Sequence, residues 1–529
     1  MKGDFTRDTF DPAKHFSRVL MQQGRVQLDT DWNEQAAILL HYLQTLAADL
    51  IGPHGGPGDG FKIKPVTTTL PNDFVIEPGI YYVDGIRCEL DATPVSVVVQ
   101  SDATKLQVLT LLVDNWEFEP GQYIEVFPRP PSPAMAKITA VDPVQRILTL
   151  DQKLLFPTLS PPIFMIRRVS TYGTQPDYPL LNTDRLTGKY LVYLDVWERH
   201  ISYLEDGGDI NIREVALGGP DTAARAKVVW QVKVRKSGDP QPTEVEKLLK
   251  LSQAMLRARA KQTQPPSSPC VIHPDARYRG AENQLYRVEI HTGGKVGDIS
   301  NPPPTFKWSR ENGSVVFPIV APIASGDGKT TVTLAHLGHD DKLGLREGDW
   351  AEIVDDDYTL QNRAEPLLKV HTIDRDALIV TLDSDLPPKV GSDPSKHLLL
   401  RRWDYQEKKD RDPKQGGLPF SLGKDNAVLI VEKDGEDGPN WFVLEDGVQI
   451  QFQPGGEYRT GDYWLIPART VIGDVEWPGP ADSPKAIPPH GVEHHYAPLA
   501  SISVDAITGD VTVSPRYRRI INQLWTPES

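Results

Sequence analysis

The residues with the sharpest catalytic potential are HGVEH, 490–494, inside IPPHGVEHHYAPLA. They match the H-x-x-E-H order of inverted zinc peptidases, in which two histidines hold the metal and the glutamate activates water. That chemistry needs a helix, because only helical spacing puts His490 and His494 on one face. Here Pro488 and Pro489 precede the motif, Gly491 interrupts it, Pro498 follows, and the next residues, LASISVD, read as a strand. The expectation is therefore a loop in which His494, His495 and Tyr496 pack and hydrogen-bond as the chain enters that strand. No metal is assigned.

Other groups offer weaker chemistry. The acidic runs DDDY (355–358), LEDGGD (204–209) and KDGEDG (433–438) lack the alternating ligand spacing of an EF-hand loop, and their Asp-Gly pairs are turn formers. A glycosidase needs two converging carboxyls, but with 72 Asp and Glu in the chain their availability decides nothing. Trp116, Trp197, Trp230, Trp308, Trp350, Trp403, Trp441, Trp464 and Trp477 could furnish a sugar-stacking face, although tryptophan in strands more often fills a core. ALGGPDT (216–222) lacks the Lys-Ser/Thr ending of a phosphate loop, and neither a dinucleotide fingerprint nor a G-x-S-x-G elbow occurs. No catalytic residue and no cofactor is assigned.

Composition narrows the partners. A length of 529 residues predicts roughly three to five compact units. The net charge of −15 argues against nucleic acid as the main partner. Cys88 and Cys270 are too few and too far apart for a disulfide framework or a four-thiolate zinc site, and each reads as a buried thiol. The start, MKGDFTRDTF, has no apolar targeting core, and no later run reaches membrane-spanning length. Neither secretion by a signal peptide nor membrane insertion is expected.

The elements follow from periodicity. Asp11-Pro12 predicts a short first helix through Phe16, Val19 and Leu20, stopped by Gly24, followed by an extended piece from Arg25 to Leu28. Asp31 and Glu34 have capping-box spacing, and a helix then runs to Leu50 before Gly52-Pro53. Its stripe, Trp32, Ala36, Leu39, Leu43, Leu46 and Leu50, alternates steps of four and three, the seam of a coiled coil. So short a helix is unstable alone, so the stripe must be covered by its own chain or by copies of itself. HGGPGDG (54–60) reads as a hinge-like linker, after which β patterning dominates, punctuated by 47 prolines and 41 glycines. Residues 74–90 read as two strands about a Pro-Gly turn with a second turn at Asp84-Gly85, and residues 244–261 as an amphipathic helix.

An internal repeat organises the middle of the chain. EPGQYIEVF (119–127) matches EGDWAEIVD (347–355), KITAVDPVQRILTLD (137–151) matches KVHTIDRDALIVTLD (369–383), and MIRRV (165–169) matches LLRRW (399–403). Two small β-barrel-like modules are predicted, at about 117–170 and 345–405. Gly121 and Gly348 begin turns into strands, and the matched aspartates end strands or begin turns. The fold class is thus mainly β and multidomain: a helical docking segment (1–53), β domain 61–115, module 116–170, β domain 186–320, module 325–405 and C-terminal β domain 420–529.

FSRVLMQQGRVQLDTDWNEQ, followed by IEPGIYYVDG, resembles the start of an uncharacterised family encoded among genes of bacterial contractile injection systems, the phage-tail-like particles. More loosely it is similar to attachment segments of phage baseplate and tail-fibre proteins. YLVYLDVWERHISYLED (190–206), IREVALGGPDTAARAKVVWQVKV (212–234), NQLYRVEIH (283–291), TFKWSRENG (305–313), YRTGDYWLIPART (458–470) and GVEHHYAPLA (491–500) extend the resemblance over most of the chain. It implies a structural part of such a particle, baseplate-associated, cage or short attachment piece. The chain would be made in the bacterial cytoplasm without a signal peptide and would belong to a phage-tail-like particle that can be released from the cell. A compact part is expected, since no repetitive fibre shaft is present. The implied partners are copies of itself, as a homotrimer with Trp32 to Leu50 near the threefold axis, and baseplate or spike-region proteins. The alternatives are a polysaccharide-degrading hydrolase or zinc peptidase borne by a particle or secreted, and a carbohydrate-binding protein.

Overall fold

In the computed structural model of the chain, the residues described are 1–65, 72–100, 104–127, 135–156, 164–178, 186–205, 212, 216, 222–239, 241–243, 245, 253–261, 277–338, 340, 342–387, 390–405, 417–435 and 440–521. The fold is mainly β, in several sheets, with one long amino-terminal helix. The chain divides into two compact units, each assembled from separated stretches. One comprises Met1–Leu39, Glu198–Lys227 and Lys250–Glu493; the other comprises Leu40–Trp197, Val228–Leu249 and His494–Ser529.

The second unit holds the first copy of the repeat as a closed six-stranded barrel. Its strands run in the order Tyr123–Phe127, Met135–Asp142, Ile147–Leu150, Lys105–Val108, Val95–Val99 and Phe164–Thr171, and the last pairs back onto the first. Apolar residues at alternate positions, such as Leu148 and Leu150, point into the barrel with Ile124, Val126, Ile138 and Ile166. The barrel begins at Val95, upstream of the boundary drawn at residue 116. Beside it, a four-stranded sheet includes Gly188–Ile201 paired with His495–Val504, from Gly188 opposite Val504 to Val196 opposite His495. Its core packs Tyr81, Val83 and Cys88 of a hairpin with Val192, Leu194, Trp230 and Leu499. The segment read as one C-terminal domain is therefore shared: residues 428–475 build sheets of the first unit, while His495–Ser514 serve the second.

The first unit holds the second copy. Trp350–Val354, Leu368–Asp374, Ile379–Leu382 and Leu399–Trp403 repeat the strand pairing, and each copy has a register shift at the same place, Ile138/Ala140 and Val370/Thr372. The strand equivalent to Val95–Val99 is split into Val316–Pro318 and Ala324–Gly326, which leaves an open half-barrel. Gly121 and Gly348 both have positive φ, and their amides donate to Ile138 and Val370 carbonyls at 2.8 Å. Asp142 accepts the amides of Val144 and Gln145 as Asp374 accepts those of Asp376 and Ala377, so the matched aspartates close turns. The larger core of this unit centres on Trp308, Trp464, Phe306, Phe442 and Phe452.

Several expectations give way. Residues 256–260, placed within a helix by sequence, form a strand paired with Val448–Phe452, because Leu256, Ala258 and Ala260 alternate into the core at period two. Most of the remaining predicted helix, residues 244 and 246–252, lies outside the described residues. HGGPGDG is packed and is no hinge: His54 and Gly55 pair with Val83 and Tyr82, and a Cβ on Gly56 or Gly60 would come within 2.6 Å of the Ile80 backbone. The glycines here permit close approach. The helix expected through Leu20 is a single turn, Pro12–Lys14, ended by His15 at φ 55°. The strands flanking Pro78-Gly79 belong to different sheets, whereas Asp84 and Gly85, both at positive φ, join a paired hairpin.

Candidate functional site

The amino-terminal helix, α1, spans Asp29–Ile51. Asp29 and Asp31 lie in its first turn, where a negative charge offsets the positive end of the helix dipole. The capping box does not form: Asp31 reaches back to accept the Leu28 amide at 3.2 Å, while Glu34 accepts the Thr9 hydroxyl at 2.6 Å instead. Gly52, at φ 89°, closes the helix by donating to Ala48 O at 2.7 Å.

The polarity of α1 is reversed from that of an ordinary surface helix. At 3.6 residues per turn, Trp32, Ala36, Leu39, Leu43, Leu46 and Leu50 share an arc of about 80°. All six are exposed, with Trp32 at 61%, Leu43 at 65% and Leu50 at 75%. The opposite arc carries mainly small or polar residues, including Thr30, Glu34, Ala37, Gln44 and Ala48, together with the buried Ile38, and it is the side held by the protein. In the first unit Gln35 accepts the Val19 amide at 2.9 Å, and in the second the Gln44 backbone lies against Gly85. A soluble helix normally buries its apolar stripe; this one faces it outward.

The segment before α1 adds to that surface. Every residue from Asp11 to Asp29 except Val19 is exposed, among them Phe16, Leu20, Met21, Val26 and Leu28. Sequence reasoning read a helix through Leu20 and an extended piece from Arg25 to Leu28; the extended piece is non-helical as expected, but the helical spacing of Phe16, Val19 and Leu20 hid an exposed arm.

The histidine motif is not helical. In the first unit, His490 donates its amide to Tyr463 O at 2.8 Å and accepts the Leu465 amide on Nδ1 at 3.0 Å. In the second unit, His494 Nδ1 lies 2.7 Å from Asp195 Oδ1, with Lys233 Nζ 2.7 Å from the other oxygen. The His494 ring packs between Trp197 and Tyr496 at centroid distances of 5.0 and 5.9 Å, and His495 Nδ1 meets Asp84 at 3.0 Å. Burial pushes the Asp195 carboxyl up, but His494 and Lys233 outweigh it and hold it below its ordinary value. Among the described residues, no group of three or more His, Cys, Asp or Glu is placed to hold a metal.

The acidic runs are tied to structure. Asp355 caps a short helix through the Tyr358 amide at 2.6 Å, Asp356 pairs with Arg199 and His397, and Asp357 pairs with Lys396. Parts of 204–209 and 433–438, and most of 216–222, lie outside the described residues. Trp197, Trp230, Trp308, Trp350, Trp403, Trp441 and Trp464 are buried and so give no sugar-stacking face; Trp116 and Trp477 are half-buried. Cys88 is a buried free thiol, pushed up to about 12 by burial, and Cys270 lies outside the described residues.

A charged cluster that sequence reasoning missed fills the interior of the first unit. Glu289 accepts from Arg287 Nε at 2.6 Å and meets Lys2 Nζ at 2.9 Å, while Lys307 Nζ lies 2.6 Å from Glu352. Trp403 Nε1 donates to Glu352 at 3.1 Å, and the Tyr358 hydroxyl also donates to it. Burial pushes both carboxyls up, yet the surrounding cations win: Glu352 is held at about 2, chiefly by Lys307, and Glu289 well below its ordinary value by Lys2, Arg287 and Lys307. The available signal was a charge set amid apolar strand residues, as in LYRVEI and TFKWS.

A model of one protein family matches residues 1–104, 168–250 and 241–517. The chain belongs to DUF6519, a family of unknown function. The interval that the family model leaves uncovered, 105–167, holds the barrel strands from Lys105–Val108 to Ile147–Leu150. No curated protein and no solved structure matches the chain.

Proposed function

We propose that this chain is a structural, non-enzymatic subunit that assembles with copies of itself through α1, as part of a contractile, phage-tail-like particle. The observation that carries the self-assembly is the outward-facing stripe from Trp32 to Leu50. Contiguous apolar surface of this kind marks an interface, because leaving it in water forfeits the hydrophobic gain of burial. The rigid β modules then serve as the body presented by the assembled helices. The particle context rests on the resemblance of the amino-terminal and later blocks to injection-system proteins, and a trimer around α1 is the arrangement favoured.

Size-exclusion chromatography with light scattering tests this directly. The full chain is expected to run as a trimer at micromolar concentration and to become monomeric with Leu39→Asp and Leu43→Asp. A monomeric parent chain, unaffected by those substitutions, would end the proposal. Loss of complete baseplates on deletion of the gene, with the particle imaged by electron microscopy, tests the particle context separately.

A further inference from the structure

Resting on the self-assembly reading, we propose that the α1 stripe of one copy is covered by the arm of the next, residues 12–28, in a head-to-tail interface. The arm leaves and rejoins its own body at defined anchors, Thr9 on Glu34 at one end and Leu28 on Asp31 at the other. Between them, among the described residues, only the Val19 amide is tied to α1, through Gln35. Phe16, Leu20, Met21 and Val26 are thus held outward and exposed, Val26 at 82%.

Charge selects the partner. The arm carries Lys14, Arg18 and Arg25 with no acid, and among the described residues none of these three makes an ion pair or side-chain hydrogen bond. α1 carries Asp29, Asp31 and Asp49 flanking the stripe, with Glu34 on the side held by the protein, and has no Lys or Arg. Packing α1 on α1 would set like charge against like, whereas arm on helix sets opposite charges together while burying apolar surface on both sides. Two different patches of one chain that complement each other make a heterologous contact, which closes into a ring when the rotation permits. Closure at three copies gives the trimer.

Two full-length variants separate this arrangement from helix-on-helix packing. Leu20→Asp with Met21→Asp spoils the arm, and Leu43→Asp with Leu46→Asp spoils the stripe. All four sites are exposed, and circular dichroism checks that each variant folds. Each variant alone is expected to be monomeric, and their mixture to form a one-to-one heterodimer, because one supplies an intact arm and the other an intact stripe. If the parent chain is itself monomeric, the self-assembly reading falls and takes this inference with it. If the parent assembles and the arm variant assembles equally well, helix-on-helix packing holds and the arm inference alone is overturned. Two monomers that fail to combine overturn it as well. Arg18→Glu with Arg25→Glu leaves the apolar surface intact and is expected to weaken assembly about tenfold or more at low salt; unchanged affinity would remove the electrostatic basis for choosing the arm.

Discussion

Lys307 Nζ lies 2.6 Å from Glu352 Oε1, with both side chains buried from solvent. The relationship departs from the first repeat copy at a matched position. There Glu125 sits opposite Arg167 and pairs with it; in the second copy Glu352 sits opposite Arg401, but its carboxylate is taken by Lys307 from a neighbouring sheet. One strand register thus serves a partly exposed pair in the barrel and a buried network in the half-barrel.

Removing the Glu352 charge leaves buried Lys307 with only the more distant Glu289, at 3.5 Å, to offset it. Glu352→Gln is expected to destabilise the first unit by about 3–5 kcal/mol. Glu125→Gln, whose partner Arg167 keeps some access to water, is expected to cost about 1 kcal/mol. Urea unfolding followed by tryptophan fluorescence measures both. Equal costs would show that burial of the network has no energetic consequence. The double variant Lys307→Met with Glu352→Gln should lose less than the sum of its single changes.

Buried histidines set the response to acid. Burial, aided by Lys307, lowers His291 from 6.5 to about 4, and burial likewise lowers His200 to about 4. An unfolded chain then binds these protons more readily than the folded one, so stability falls as pH drops from about 6.5 towards 4. The depressed Glu289 and Glu352 act lower, as pH falls below their ordinary value of 4.5. The loss of urea midpoint between pH 6.5 and 4.5 is therefore expected to shrink in His291→Gln. An unchanged slope in that window would contradict the assignment.

Gly85 is a position where an added methyl group has nowhere to go. A Cβ there would lie 2.0 Å from Gln44 O, and φ is 79°. Gly85→Ala is expected to cost about 1 kcal/mol or more from the backbone conformation alone, and to loosen the carboxy-terminal half of α1. Amide exchange around Gln44 should accelerate. Protection equal to the parent would show that the helix does not rest on this turn.

Polar substitution of the stripe should leave the isolated chain intact. Leu43→Gln with Leu46→Gln is expected to change its unfolding free energy by no more than about 0.5 kcal/mol, as for ordinary surface sites. Measured on dissociated protein, a loss of several kcal/mol would instead place these leucines in the chain's own core.

Local signals were legible where chemistry is local. Asp84-Gly85 announced a two-residue turn, the Asp142 and Asp374 turns recurred in both repeat copies, and the 3.6-residue stripe of α1 named its own face. The residues after Pro488 were correctly read as a loop entering a strand, because two prolines and a glycine deny the helix that two metal-binding histidines would need. Leu256 to Ala260 was misread because LRARA suits either period, and only the available partner strand, Val448–Phe452, decides between them.

The sequence by itself determined the β class, the duplicated module, the turns and the existence of one amphipathic helix, since these follow from backbone preference and the spacing of apolar side chains. It left open which face of α1 meets water and which charges meet inside the first unit. Tertiary structure decided both: Lys307 and Glu352 are 45 positions apart in sequence, and a stripe carries no record of whether its cover comes from the same chain. Long-range packing supplies that information, because burial depends on what the fold brings alongside and local spacing is the same in either case.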